Sequence, residues 1–338
     1  MTDSTVKVEI HRSQFPDRLR AELADCLRLR RINHKFHYES HKQVRRWLSL
    51  HEAHSPARTD IGVERIYENA FEAIAAELSE AKSIQVISLG SGGGRKDASL
   101  LGRLAEGGVA ISYTPLDVSV GLALTSRETA LPHVSAERIR PLVCDLATVD
   151  DWGSILHVGD ENADRRVFLF FGMLPNFEPS EIMGRFNGLV REDDLLLCSA
   201  NLAPGEDYES GVQRILPQYD NEATRSWLAT LPNDLGLEVE PDDIVFSIAQ
   251  CDDERSVRRI EAAIALQDAA RIQIGDEQVT FEAGETLRLF FSCRYTPGLL
   301  EEMMNKRGLG IRRQWISDSG EEGVFQCGRL GKGMQAEE

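Results

Sequence analysis

The stretch Ile84-Gln-Val-Ile-Ser-Leu-Gly-Ser-Gly-Gly-Gly-Arg-Lys-Asp97 decides the fold of this 338-residue chain. It begins as a strand-like apolar run, passes through four glycines and continues into a helix-like segment at residues 98–104. A second strand-like run, residues 111–116, ends at Asp117, an acid that can accept hydrogen bonds from ribose hydroxyls. The order strand, glycine turn, helix, strand and acid is typical of a nucleotide-binding βαβ unit. The stretch therefore predicts a fold and the place where a nucleotide-type ligand binds.

The glycine spacing narrows the type of ligand. Gly90 and Gly92 fit the dinucleotide pattern G-x-G-x-x-G, but Arg95 stands where the third glycine belongs. That glycine allows tight helix–strand packing beneath a pyrophosphate, and Asp117 also comes later than the roughly 20 residues usual in NAD binders. The loop therefore favours an adenosine ligand without a pyrophosphate, such as S-adenosylmethionine, over the NAD of an oxidoreductase.

Three more apolar runs, at residues 140–144, 166–171 and 194–199, indicate further strands of the same sheet. Near-continuous apolar runs separated by helical segments are typical of parallel strands that are covered on both faces. Ligands of such sheets bind outside the carboxyl ends of the strands. A glycine or polar residue stands at or shortly after the end of each of the five runs: Gly90, Asp117, Asp145, Asn176 and Asn201. The sequence thus predicts an α/β fold with one functional edge.

The composition argues against several classes of partner. A net charge of −17 argues against binding to nucleic acid or to anionic membranes, because both bind basic patches. No run approaches the ~18 apolar residues of a membrane span, and the first residues show no signal-peptide pattern. The six cysteines are scattered without a C-x-x-C pair, which is typical of reduced core residues. We therefore expect a cytoplasmic protein that acts on a small molecule.

A histidine cluster near the N-terminus raises the question of a metal site. It comprises His34, His37, His41, His51 and His54. His37 and His41 have i, i+4 spacing, but no glutamate follows His37 in an H-E-x-x-H arrangement and further ligands are lacking. The pattern predicts a mixed-charge helical surface and no metal.

The segments that flank the sheet differ from it in pattern. Residues 14–80 show helical periodicity. Beyond residue 204 the pattern predicts, in chain order, a helical stretch from Asn221 to Leu231, a strand or a helix at 256–269, a hairpin at 271–281 that turns at Gly275-Asp276, a strand at 287–295, a helix at 297–306 and a closing strand at 323–327.

Eight motifs occur in an ordered set that is fairly specific. They are Lys35-Phe-His-Tyr38, Leu89-Gly-Ser-Gly92, Pro115-Leu-Asp-Val-Ser119, Pro141-Leu-Val-Cys-Asp145, Phe170-Phe-Gly-Met-Leu-Pro-Asn-Phe-Glu-Pro179, Pro217-Gln-Tyr-Asp220, Gly284-Glu-Thr-Leu-Arg288 and Ser292-Cys-Arg-Tyr295. Together they resemble the histidine-specific, S-adenosylmethionine-dependent methyltransferases, whose best-known member makes trimethylhistidine for ergothioneine. The resemblance implies a Rossmann-type class I methyltransferase sheet, formed by residues 62–203 and 293–330. It also implies a second, α+β substrate-binding domain formed by residues 1–61 and 204–292.

The resemblance also assigns roles to individual residues. The residues implied to bind the cofactor are Gly90, Ser91, Gly92, Lys96, Asp117, Val118, Asp145 and Leu146. Asn176 and Tyr219 match the pair that holds the amino and carboxylate groups of the substrate, and Ser292 matches a serine beside the substrate ring. Tyr38 matches a tyrosine near the amine. Tyr38 and Tyr219 are therefore the candidate catalytic residues, which would orient the acceptor by hydrogen bonds.

Two positions depart from the family pattern. Phe290 stands where the family has a glutamate that engages the histidine ring, and Ala262 stands in place of a methionine against the substrate. A phenylalanine offers no acceptor to a ring N–H, and a lost hydrogen bond costs ~1–3 kcal/mol. We therefore expect an amino-acid-derived substrate with an aromatic, indolic side chain, methylated on the amine or on an indole nitrogen or carbon. Arginine or another amino acid is the competing substrate, and a non-catalytic ligand-binding relative is the competing class; the oligomeric state is left open.

Overall fold

The computed structural model describes residues 5–54, 60–152 and 163–330, and its centre is an eight-stranded sheet. The strands lie in the order β1-β4-β3-β2-β5-β6-β13-β12. Their bounds are β1 Glu9–Ile10, β2 Ser83–Leu89, β3 Ala110–Asp117, β4 Leu142–Val143, β5 Arg165–Phe170, β6 Leu195–Asn201, β12 Leu309–Ile316 and β13 Glu322–Arg329.

Strands β1 to β6 are parallel to their neighbours, and β13 runs antiparallel between β6 and β12. The chain order reverses at β2, which has β3 on one side and β5 on the other. Such a reversal opens a crevice at the carboxyl ends of the strands. The arrangement confirms the predicted α/β fold with a Rossmann-type class I methyltransferase sheet.

Helices cover both faces of this sheet and form the segment that precedes it. Their bounds are α1 Pro16–Arg28, α2 His41–His54, α3 Ile61–Glu77, α4 Arg95–Glu106, α5 Val120–Ala130, α6 Pro179–Leu189, α7 Tyr208–Tyr219, α8 Glu222–Leu228, α9 Thr230–Asp234 and α10 Pro297–Asn305. Apolar residues of the sheet and of these helices fill two fully buried clusters, one on each face. The helix predicted for residues 297–306 is confirmed, and the helical span predicted for residues 14–80 contains α1, α2 and α3, separated by a non-helical segment with a short 3₁₀ turn and by residues 55–59, which lie outside the described residues.

A second group of strands lies outside the central sheet. Strands β7 (Val245–Gln250), β8 (Arg258–Ala265) and β11 (Thr286–Arg294) form one antiparallel sheet, and β9 (Ala270–Ile274) pairs with β10 (Glu277–Phe281). A separate apolar cluster joins these strands to α1 and α8. The hairpin is confirmed, and the ambiguous stretch 256–269 contains a strand. The division of the chain into two domains at the bounds given above stays a prediction.

The sequence interpretation differs from the structure at several elements. The helical stretch predicted from Asn221 to Leu231 is two short helices, because Pro232 lacks the N–H that would continue the backbone ladder. Helix α7 and strands β1, β7 and β12 were not predicted. β12 carries the exposed Arg312 and Arg313 and lies at the edge of the sheet, so it lacks the apolar alternation of an inner strand.

Two smaller predictions can also be compared with the structure. All six cysteines are free thiols, and five of them are buried, as expected for reduced core residues. Among residues 5–54, 60–152 and 163–330, no helix is long and apolar enough to cross a membrane.

Candidate active site

A cavity of about 870 Å³ opens at the carboxyl ends of the parallel strands. All eight residues implied to bind the cofactor line it: Gly90, Ser91, Gly92, Lys96, Asp117, Val118, Asp145 and Leu146. Tyr38 and Asn176 line it as well, whereas Tyr219, Phe290, Ser292 and Asn201 do not. The structure thus brings four of the five strand-end signals, but not Asn201, to a single cavity.

Neighbouring side chains lie so close to the glycine loop that a side chain on the loop would not fit. Gly90 has φ +75°, and a Cβ there would lie 2.6 Å from Cγ of Met173. Gly92 has φ +56°, and its Cβ would lie 3.2 Å from Cη2 of Trp47 on α2. Both positions therefore favour glycine for conformation and for space. The loop is also packed against the N-terminal helical segment, which forms part of the cavity wall.

Asp117 is the last residue of β3 and is buried. Its carboxylate accepts hydrogen bonds from the backbone N–H groups of Gly92, at 2.9 Å, and Ser119, at 3.0 Å. Burial raises the pKa of Asp117 to about 6, although these bonds act in the opposite direction. The acid is thus fixed next to the glycine loop, with an ionisation that changes close to physiological pH.

Asp145 forms a buried ion pair with Lys35, a residue from the N-terminal segment. The Lys35 Nζ lies 2.7 Å from Oδ2 of Asp145 and 2.5 Å from a carboxylate oxygen of Glu22 on α1. The other oxygen of Asp145 accepts the backbone N–H of Ala147 at 2.8 Å. Lys35 also lines the cavity. One of the acids implied to bind the cofactor is therefore held by a lysine that the sequence interpretation did not single out.

Lys96 lies at the opposite end of the loop, where it meets two further polar residues. Its Nζ donates to the hydroxyl of Tyr67 at 2.6 Å and lies 3.6 Å from the carboxylate of Glu322. The Tyr67 hydroxyl in turn donates to Glu322. Burial lowers the pKa of Lys96, and the nearby Glu322 partly offsets this effect. Lys96 and Tyr67 both line the cavity, so this cluster can hold a carboxylate such as that of a methionyl group.

His34, Tyr38 and Trp47 line the cavity, and Trp227 and Phe290 pack against these rings outside the cavity lining. The ring centroid of Tyr38 lies 5.4 Å from that of Trp47 and 5.8 Å from that of Trp227. Phe290 lies 6.1 Å from Trp227 and 5.2 Å from His34, and it is only 8% exposed. We call these five residues the aromatic cluster. It provides an apolar and π-rich surface next to the cofactor loop.

The predicted histidine surface is wrong for two of its members. His34 and His37 are buried, and the hydroxyl of Tyr38 lies 2.5 Å from Nε2 of His34. Burial lowers the pKa of His34 well below its usual value and that of His37 to about 4, so both rings are neutral. The two residues lie in a short 3₁₀ turn that packs against Trp227 and β11, and local periodicity does not reveal such packing. Within the described ranges, no three His, Cys, Asp or Glu side chains are grouped as a metal site.

Two other substrate candidates, Tyr219 and Ser292, form a separate hydrogen-bonded group with Arg294 and Asn201. The Tyr219 hydroxyl donates to Oγ of Ser292 at 2.7 Å and accepts a bond from Arg294 at 2.6 Å. Asn201 donates to the same serine oxygen at 3.4 Å. Asn176 is half-buried, and its amide donates to the carbonyl oxygen of Gly172 at 3.4 Å. Tyr219 packs at 6.1 Å from Phe290, which links this group to the aromatic cluster.

Comparison with known proteins identifies the family. The family described as "Histidine-specific methyltransferase, SAM-dependent" matches residues 19–329, which is most of the chain. The chain belongs to this family. It is 24% identical over 271 residues to the histidine N-alpha-methyltransferase of Mycobacterium tuberculosis, covering 74% of this chain and 79% of that protein. It is 25% identical over 250 residues to the N-methyltransferase imqF of Aspergillus flavus, covering 71% of this chain and 66% of that protein.

Solved structures of other methyltransferases are also similar. The CcbJ methyltransferase of Streptomyces caelestis is 17% identical, with a TM-score of 0.37, and the match covers 78% of this chain and 94% of that one. The family match shows that the protein is an S-adenosylmethionine-dependent methyltransferase. The site fits this cofactor, because the glycine loop, Asp117 and Lys96 line one cavity at the carboxyl ends of the strands.

Four polar residues of this region were not selected from the sequence. Lys35 and Arg294 stand within the quoted motifs, and that position is the signal that could have identified them. Tyr67 looked like an apolar residue of an amphipathic helix, and Glu322 stands at the start of the closing strand. Both become recognisable only when the fold brings them to Lys96.

Proposed function

We propose that this enzyme N-methylates a small amino-acid-derived molecule with an aromatic, indolic side chain. The observation that carries the proposal is Phe290, which replaces the ring-binding carboxylate of the family and lies inside the aromatic cluster. A ring N–H that is buried there without an acceptor loses about 1–3 kcal/mol. A wide aromatic ring gains contacts instead, since an aromatic pair contributes about 0.5–1.5 kcal/mol beyond its buried area.

The names of the relatives support an amine as the acceptor. Both curated relatives are named as N-methyltransferases, and one is named for the α-nitrogen of histidine. We therefore place the methyl group on the α-amine of the substrate, with an indole nitrogen or carbon as the alternative. The imqF relative also supports a role in natural-product synthesis.

The residues of this chain would orient the acceptor rather than react with it. S-adenosylmethionine supplies an electrophilic methyl group when bound, so the protein must hold a neutral nucleophile in line with it. Burial raises the pKa of Tyr38 well above its usual value, so its phenol stays protonated at neutral pH. Tyr38 thus serves as a hydrogen-bonding group next to His34 and the aromatic wall, which exclude water from the acceptor.

Arginine, the competing substrate, needs carboxylates that are free to pair with a guanidinium. Three of the acids that line the cavity already have partners. Asp117 is held by two backbone N–H groups, Asp145 by Lys35, and one oxygen of Glu178 by Arg259 at 3.0 Å. This arrangement favours the aromatic substrate.

A methylation screen tests the proposal. The purified protein is incubated with S-adenosylmethionine and with tryptophan, tryptamine, tryptophan-containing cyclic dipeptides, histidine or arginine, and the products are identified by tandem mass spectrometry. Mono- to trimethylation of a tryptophan derivative on its amine is the expected result. Methylation of arginine or histidine without any tryptophan derivative would contradict the indolic substrate. A protein that binds S-adenosylhomocysteine but methylates none of these acceptors would favour a non-catalytic relative.

We also propose that residues 62–203 and 293–330 form the cofactor-binding domain and that residues 1–61 and 204–292 form the substrate-binding domain. Supporting this division, cofactor candidates come mainly from the central sheet, whereas the aromatic cluster comes from α2, α8, β11 and the turn at His34–His37. Limited proteolysis with and without S-adenosylhomocysteine tests it, since cuts between domains should fall near residues 61 and 204.

A further inference from the structure

A second cavity, of about 580 Å³, lies between α2 and α8 and shares no lining residue with the cavity at the strand ends. We call it the α2–α8 groove. Four basic side chains of α2 line it, namely His41, Lys42, Arg45 and Arg46, and all four are exposed. Among the described residues that line the groove, none is an acid. In a chain with a net charge of −17, the groove is therefore a local excess of positive charge.

The basic residues of the groove are placed where they destabilise their own helix. Lys42 and Arg46 have i, i+4 spacing on α2, and like charges at that spacing repel each other. His41 and Lys42 also lie in the first turn of α2, which contains no acid. The helix dipole favours negative charge at this end and opposes positive charge. An anion bound in the groove would offset both effects.

The partners of these residues leave part of the positive charge uncompensated. Lys42 pairs with a carboxylate of α9 at 2.9 Å. Arg46 donates to two uncharged oxygens of α8 and α9, at 3.0 and 2.5 Å. Arg45 is exposed and has no acid partner among residues 5–54, 60–152 and 163–330. Two guanidinium groups at the groove thus lack a counter-ion within the described part of the chain.

Trp227 of α8 adds an unpartnered hydrogen-bond donor to the groove. The side chain lines the groove and is only 4% exposed, and its indole Nε1 has no partner among the described residues. Buried N–H groups in native folds are nearly always paired with protein, water or a ligand. An acceptor that enters the groove would provide this partner. Trp227 also packs at 5.8 Å from Tyr38 and 6.1 Å from Phe290, so an occupant of the groove contacts a ring of the aromatic cluster.

We propose that the α2–α8 groove is a binding site for a small phosphorylated molecule. Phosphate oxygens accept hydrogen bonds from an indole N–H and from guanidinium groups, which can bind them with two parallel bonds. The volume of the groove falls within the range of about 300–1,000 Å³ that is usual for small-molecule sites. An acidic protein segment is the competing ligand for a basic surface. The inference concerns a second site, so it does not depend on which acceptor is methylated.

Isothermal titration calorimetry with pyrophosphate tests the proposal. The full chain is first saturated with S-adenosylhomocysteine, which keeps the probe out of the cofactor cavity. We expect saturable binding of one pyrophosphate with a Kd of about 1 mM or lower. Sodium chloride at the same ionic strength should give no saturable heat. A hexaglutamate peptide is the competing probe and should bind more weakly than pyrophosphate.

Single substitutions assign the binding to the groove, with circular dichroism as the check on folding. Arg45→Gln removes an exposed cation and should weaken pyrophosphate binding at least about fivefold, because a hydrogen bond to a charged group is lost. Trp227→Phe keeps an aromatic ring, removes the N–H and should weaken binding by a smaller factor. Arg18 is an exposed arginine of α1 outside the groove. Arg18→Gln is therefore the matched control and should stay within about twofold of the wild type, because salt screens a distant exposed charge.

The results that would overturn the proposal are distinct from one another. Absence of saturable pyrophosphate binding would refute the site. Equal affinities in the wild type and Arg45→Gln, or equal losses in Arg45→Gln and Arg18→Gln, would place the anion elsewhere on the protein. Tighter binding of hexaglutamate than of pyrophosphate would show that the groove takes an acidic protein segment. Unchanged affinity in Trp227→Phe would exclude the indole N–H as a contact, and Arg45→Gln carries the test if that variant does not fold.

Discussion

Phe290 on β11 and Ala262 on β8 are direct register partners across the antiparallel ladder, and both are buried. A small side chain opposite a large ring keeps the local volume in balance, because cross-strand partners lie within side-chain contact. The two residues that differ from the family pattern, Phe290 and Ala262, therefore pack against each other. The volume that an alanine leaves is matched by the adjacent phenylalanine, so the argument for an aromatic substrate rests on the missing acceptor and the aromatic cluster.

We expect histidine to be a poor substrate. In the proposed site its ring N–H would meet Phe290 instead of a carboxylate, and an unpaired group costs about 1–3 kcal/mol, which corresponds to roughly fivefold to 150-fold in kcat/KM. Steady-state kinetics with histidine and with the best acceptor from the screen measure the ratio. Equal values of kcat/KM for the two would contradict the assignment of Phe290 to the ring pocket.

Introducing a carboxylate at position 290 should destabilise the fold. Phe290→Glu places a charge among His34, Trp227 and Tyr219, where no cation contacts the ring, and an uncompensated buried charge costs about 3–5 kcal/mol. Phe290→Leu is the matched apolar control and should cost about 1–2 kcal/mol. Urea denaturation measures both values. A Phe290→Glu protein as stable as the leucine variant would show that the site is more accessible to water than its 8% exposure implies.

Asp117→Ala should weaken the binding of S-adenosylmethionine by about 1.5–3 kcal/mol. The reason is the loss of hydrogen bonds between the ribose and a charged acceptor. Isothermal titration calorimetry gives the affinity, and Asp268→Ala, an exposed acid between β8 and β9, is the control. Unchanged affinity in Asp117→Ala would remove this acid from the cofactor site.

The affinity for S-adenosylhomocysteine should fall in acid. The pKa of Asp117 is raised to about 6 by burial, so the carboxylate is ionised above that pH and protonated below it. Ribose hydroxyls bind the ionised form better, and each pH unit below about 6 should weaken binding up to tenfold, or about 1.4 kcal/mol. The pH dependence of folding stability in the free protein has the opposite sign. A raised carboxyl pKa stabilises the fold at low pH, and this contribution is lost as the pH rises through about 6. Asp117→Asn should abolish the slope between pH 5 and pH 7.

Lys35→Met should destabilise the protein by about 3–5 kcal/mol, because it leaves the buried Asp145 without its cation. Lys42→Met is the control, since Lys42 pairs with Asp234 at the surface, where such pairs contribute about 0–1 kcal/mol. Chemical denaturation compares the two variants. A loss in Lys35→Met no larger than in the control would show that Asp145 does not depend on this partner.

The parts of the molecule that the sequence predicts are those with local signals. The apolar run at residues 84–89, the glycine loop and Asp117 can each be recognised from neighbouring residues. They form a strand, a turn and a strand end, as predicted. His34 looks like a surface residue because its burial depends on Trp227 and Phe290, which are about 190 and 250 positions away in the chain.

The ion pairs and hydrogen bonds of the site follow the same rule. Lys35 and Asp145 are 110 residues apart, and Tyr219 and Arg294 are 75 residues apart. Such pairings arise only when α1, the N-terminal turn and β11 pack around the end of the sheet. No periodicity in a single segment contains this information, so the residues that support the site were found from the structure.

The packing of Trp47 against the loop at Gly92 gives the protein a built-in optical probe. Two of the four tryptophans, Trp47 and Trp227, lie in the aromatic cluster. Cη2 of Trp47 would lie 3.2 Å from a Cβ atom at Gly92. A ligand that enters the cavity changes the polarity and the quenching groups around these indoles. Intrinsic fluorescence should therefore report the arrival of the cofactor, and the loss of that signal in Trp47→Phe would assign it to the ring beside the glycine loop.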